Sequence, residues 1–140
     1  DRQIWRVCRN ILVTETDEAG EQLLTDPDGV IAHYFRYIRG VRQIEEFQSL
    51  QQEPLPLLNE FLEVPAALED CAIVGAADTV LARLVELVDE LGPFGTLVMV
   101  GHDWDESGLS QGSMHRMAED ILPQLKQHVD SLGSERWIES

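Results

Sequence analysis

The apolar positions of this 140-residue chain change period several times, and each change marks an element. In "IWRVCRNILVTET", Ile4 to Thr16, the residues Trp5, Val7, Ile11 and Val13 fall on one alternation phase. Alternation carried by β-branched residues predicts a long strand. Arg9 shares the phase and Asn10 stands beside it, so neither face of that strand is wholly apolar. Thr16-Asp17 predicts the start of a short acidic helix reaching about Leu24, because a hydroxyl or carboxylate there accepts the free amide hydrogens of the first turn. Asp26 before Pro27 opens a second helix, in which Val30, Ile31, Tyr34, Phe35 and Ile38 recur at helical spacing. Its Arg36, Arg39 and Arg42 form a cationic ridge that faces either an anionic tail or the neighbouring acids. From Gln43 to Pro65 the period is lost, and Pro54, Pro56 and Pro65 interrupt it. A loop with short helical pieces, a surface excursion or lid, is expected there.

The clearest rhythm follows. "AIV" (Ala72 to Val74) predicts a short strand, Gly75-Ala76-Ala77 a turn, and Asp78 to Leu91 a helix apolar over more than half its circumference. Gly92-Pro93 ends that helix, since glycine tolerates a left-handed cap and proline cannot continue the ladder. "TLVMV", Thr96 to Val100, is the next strand, and Ser110 to about His128 the next helix, with Met114, Met117, Ile121, Leu122 and Leu125 on one face. A tail over 129–140 is expected to be flexible. Strand, helix, strand, helix with short turns is the pattern of a parallel sheet covered by helices. A right-handed crossover places both of these helices on one side of the two strands. Ligands of such units bind beyond the carboxyl ends of the strands. The Gly75–Thr79 turn and Gly101-His102-Asp103-Trp104 both belong to that rim.

Composition narrows the class. An apolar fraction of 44% at this length suits one soluble globular domain. Ten basic against 26 acidic residues leave a net charge of −16, which argues against nucleic acid and anionic membranes as partners. No apolar run approaches the roughly 20 residues that span a bilayer, and no signal peptide is visible. A cytoplasmic location is expected. Cys8 and Cys71 show no redox or metal spacing and read as two buried free thiols. No metal site, Ser/His/Asp arrangement or phosphate loop is evident, and His33, His115 and His128 read as surface or boundary residues. Asp1 without a methionine reads as the start of a fragment, a processed product or a trimmed chain.

The segment "AIVGAADTVLARLVELVDELGPFGTLVMVGHDW", followed by "SMHRMAEDILPQL", resembles the C-terminal part of luciferase-like, flavin-dependent monooxygenases. The limonene monooxygenase-like branch is the nearest; "WRVCRNILVTETDEA" and "DPDGVIAHYFRYI" fit the same group. The resemblance implies an α/β fold: a C-terminal fragment of a (β/α)8 TIM barrel, about three strands with covering helices, spanning 1–140 as one incomplete barrel. It implies reduced flavin, FMN, as cofactor and O₂ as oxidant, with one oxygen atom inserted into a small organic substrate. In that family most of the flavin wall and its phosphate contacts come from an N-terminal part that this sequence does not include.

Candidate residues follow, each with an alternative. His102 either donates a hydrogen bond and moves a proton at the barrel mouth or pairs with Asp103 at a turn. Trp104 either stacks on a planar ring or plugs the rim. Gly75, Asp78 and Thr79 either cradle a phosphate with free amides and the helix dipole or cap the helix, with Asp78 as the cap. Two readings are thus open. The chain is the C-terminal portion of a flavin-dependent monooxygenase, with the 43–65 segment covering the cavity. Alternatively it is a non-catalytic truncated barrel module that self-associates as a homo-oligomer to cover its open sheet.

Overall fold

A computed structural model describes residues 2–42, 72–101 and 108–133. Strand β1 (Arg6–Val13) carries the contiguous apolar triplet Ile11-Leu12-Val13 at its carboxyl end, and all three residues are buried. A strand apolar on both faces must be covered on both. Accordingly β1 takes the centre of a three-stranded sheet, paired in parallel with β2 (Ala72–Gly75) and with β3 (Thr96–Val100). The register sets Asn10 opposite Ala72 and Val13 opposite Gly75 on one side, and Arg6 opposite Thr96 and Asn10 opposite Val100 on the other. β2 therefore extends the carboxyl half of β1, and β3 its amino half.

Strand order β2-β1-β3 makes the chain step from β1 to β2 and then back across β1 to β3. Two crossovers of one hand that step in opposite directions lie on opposite faces. The packing agrees. Helices α1 (Asp17–Thr25) and α2 (Val30–Arg42) cover Leu12 and Ala72 through Leu23, Leu24, Ile31 and Phe35. Helix α3 (Ala77–Leu91), helix α4 (Leu109–Arg116), a π-helical turn (Met117–Ile121) and helix α5 (Leu122–Ser131) follow. On the other face Ile11, Val13 and Ile73 meet Val80, Leu84 and Val88 of α3, Met117 and Ile121 of the π turn and Leu125 of α5. Each fully buried side chain of this size contributes about 1.5–3 kcal/mol, so this cluster is the main source of stability. The α/β sheet is open, not a closed barrel, with both helices of the second half on one side as expected.

Local signals account for most element bounds. Thr16 caps α1, its hydroxyl accepting from Ala19 N at 3.2 Å. Gly92, at φ +75°, ends α3, where the Arg2 guanidinium donates to the Leu91 carbonyl. The last helical run departs from one regular helix. Pro123 has no amide hydrogen for the carbonyl four residues back, and its ring crowds that carbonyl. The wider π turn just before it relieves both problems. It also keeps Ser113, Met117, Ile121 and Leu125, spaced four apart, on the buried face, where an α-helix of 3.6 residues per turn would rotate them away. Met114, expected on that face, is 40% exposed for the same reason.

Other expectations change too. Trp5 precedes the strand and lies 45% exposed under the Arg2 guanidinium, 4.9 Å from its ring centre. Cys8 is a free thiol but exposed, because no helix among the described residues covers the amino half of that sheet face. The helical run reaches Ser131, beyond the expected start of a tail at residue 129. Cys71, the 43–65 segment and the end of the tail lie outside the described residues. His33 and His115 are exposed and His128 is half-buried against Asp89, 2.8 Å away.

Candidate functional site

Parallel strands place their carboxyl ends together, and beyond those ends lie Thr14 after β1, Ala76 after β2 and Gly101 after β3. Between β1 and β3, where the chain's two crossovers diverge, an open α/β sheet forms its natural crevice. A cleft of about 630 Å³ opens at the end of β1, beside this point. Thr14 and Glu15 form its floor, Leu23 and Asp26 of α1 and the following turn one wall, and Leu109, Gly112 and Arg116 of α4 the other.

Three contacts bring α4 to that position. Val13 lies beyond the last residue paired with β3, and its amide donates to the buried Ser113 hydroxyl at 2.7 Å. Arg116 donates through Nη1 to the Val13 carbonyl at 3.4 Å and through Nη2 to Glu15 Oε1 at 2.8 Å. Gly112 leaves room for the guanidinium: a Cβ there would stand 3.0 Å from Arg116 Nη1. The ion pair is asymmetric, with Arg116 25% and Glu15 81% exposed. Arg116 is the one cation among the residues lining the cleft, against the two carboxylates of Glu15 and Asp26.

The second rim feature is the turn from β2 into α3. Its N-cap, Ala76, has no side-chain acceptor to offer, and Asp78 is exposed and does not cap the helix. The cap arrives from α1 instead. Asp17 Oδ1 accepts from Ala76 N at 2.8 Å, and its Oδ2 accepts from Thr79 Oγ1 at 2.9 Å. A carboxylate at a helix N-terminus satisfies free amides and complements the dipole. In consequence the seat formed by Gly75, Ala76 and Thr79 is filled by the chain's own anion, and a phosphate there would meet Asp17. Close packing holds α1 in place: a Cβ at Gly20 would stand 3.0 Å from Gly75 Cα.

Of the residues expected to form a site, Gly75, Asp78 and Thr79 thus lie on the β2–α3 turn, on the other side of β1 from β3. His102, Asp103 and Trp104 lie outside the described residues, although Gly101 places the start of their segment at the end of β3. Arg116, Glu15 and Gly112 were not among the expected site residues. Glu15 and Arg116 stand 101 positions apart and share no motif, so only the docking of α4 on β1 joins them. Among the described residues no group of three His, Cys, Asp or Glu side chains is placed to hold a metal, and no helix is long and apolar enough to cross a membrane.

No protein-family model matches the chain, and no curated protein matches it. A solved structure does. It is the oxygenating constituent of 3,6-diketocamphane monooxygenase from the CAM plasmid of Pseudomonas putida, a type II Baeyer-Villiger monooxygenase in complex with FMN. The likeness has a TM-score of 0.63 at 20% identity and covers 89% of this chain. This chain carries part of that fold. It spans 34% of that protein's length, so the open sheet corresponds to about a third of that protein's fold.

Proposed function

We propose that the chain is the C-terminal portion of a flavin-dependent monooxygenase that uses FMN and O₂ on a small organic substrate. The observation that supports this reading is the fold shared with an FMN-bound oxygenase over 89% of the chain. The neighbour, a Baeyer-Villiger enzyme, lends its weight to flavin monooxygenases broadly and not to the limonene branch. In this reading the rim beyond β1 and β3 faces the flavin, His102 holds or moves a proton there, and Trp104 packs against a planar ring. The bound flavin would supply the oxygen-activating chemistry. Gly75, Asp78 and Thr79 would serve a phosphate only after Asp17 leaves the turn, so the flavin phosphate is assigned to parts of the barrel that these residues do not form.

The test is titration of purified chain with FMN, alone and joined to the remaining strands of a flavin-binding barrel, followed by flavin fluorescence. Saturable micromolar binding by the joined form supports the reading, and its loss in H102A or W104A would locate the flavin at this rim. A joined form blind to flavin would sink it.

A second reading has its own support. Among the described residues β2 and β3 are the edge strands, and Val98 on β3 is exposed. An uncharged, flat edge invites pairing with another chain. A non-catalytic module that self-associates through β3 would show this surface.

A further inference from the structure

We propose that the cleft between β1, α1 and α4 binds an organic monocarboxylate, whose carboxylate takes the place of Glu15 on Arg116. The site shares the carboxyl rim with the flavin reading but does not rest on it, since Arg116 and the cleft lining belong to this chain alone.

Arg116 is three-quarters buried and anchored from behind by the Val13 carbonyl, with Gly112 leaving space for its guanidinium. Its partner Glu15 is four-fifths exposed, so the Glu15 carboxylate returns to water with little loss of hydration. An ion pair with one member this exposed contributes little to stability. The guanidinium, by contrast, keeps a fixed position and a planar fork suited to a carboxylate. Glu15 therefore acts as a replaceable stand-in for the ligand's charged end.

The lining decides the ligand's charge and body. One cation faces two acids, Glu15 and Asp26, on a chain of net charge −16. A monoanion exchanging one for one with Glu15 leaves the count on Arg116 unchanged. A phosphate dianion would add a charge that no second cation among the described lining residues offsets. Leu23 and Leu109 stand on facing walls and offer apolar surface to an aliphatic or aromatic body. At about 630 Å³, the cleft has room for a ligand of modest size.

The two members of the pair give opposite expectations. Sodium hexanoate is the probe and hexan-1-ol the uncharged control, with binding to the purified chain read by calorimetry and amide chemical shifts. Hexanoate is expected to bind at least about tenfold more tightly than hexanol, as a charge-assisted contact implies. R116Q should lose about tenfold or more in hexanoate affinity and leave hexanol unchanged. E15Q should tighten hexanoate, by up to about fivefold, because the competing carboxylate is gone. A merely structural ion pair would make both variants bind alike or not at all. Equal binding of hexanoate and hexanol, no hexanoate binding by the parent chain, or weakening by E15Q would each overturn the proposal. Failure of the FMN titration leaves these outcomes untouched.

Discussion

At the scale of single residues, three polar side chains, Ser113, Asp17 and Arg116, organise the carboxyl rim, each over a long sequence separation. Ser113 is the most buried of them, and its hydroxyl is the partner of the Val13 amide. Ser113→Ala leaves that amide without a partner in a site closed to water. A loss of about 1–3 kcal/mol is expected, read as a lower urea midpoint with an unchanged slope. Asp17 acts similarly for α3, substituting for a cap that Ala76 lacks. Sequence reading finds such residues poorly. Thr16 was legible as a cap because donor and acceptor lie three positions apart, whereas Asp17 and Ala76 are joined only when α1 meets β2.

At the scale of elements, α1 is the piece that both halves of the rim share. It supplies Asp17 to the α3 turn and Leu23 to the cleft wall, and it sits close to β2 because Gly20 has no side chain. Gly20→Ala tests this directly. Helix propensity alone favours alanine by about 1 kcal/mol. The new Cβ, however, would stand 3.0 Å from Gly75 Cα and 3.1 Å from Gly75 N, backbone atoms that cannot move aside singly. Overpacking of this kind costs about 1–3 kcal/mol. Net destabilisation is expected, with faster hydrogen exchange in α1 than in α5; a gain in melting temperature would refute the close approach.

For the whole molecule, the question is what completes the sheet. The described residues form a covered α/β layer with two open edges, and they match about a third of a larger solved structure. If a second copy completes it, the 15.8 kDa chain should elute as a dimer or larger. V98K, which puts a charge on the β3 edge, should then return it to the monomer position in size exclusion. If upstream strands complete it, V98K should leave the elution volume unchanged and instead weaken assembly with those strands.

Local periodicity by itself determined the parallel α/β class, the strand at Thr96–Val100, the helix ending at Leu91 and the cap at Thr16. Those features depend on residues within a few positions of each other, where spacing and cap chemistry act directly. Tertiary structure decided the rest: β1 rather than β2 at the centre, Asp17 rather than Asp78 capping α3 at the Gly75–Thr79 turn, and Arg116 beside Glu15 in the cleft. The hint for the first was the triplet Ile11-Leu12-Val13, apolar on both faces. The other two join residues 62 and 101 positions apart. Such pairings follow from which surfaces meet once α1 and α4 dock, and no local pattern in the chain records that choice.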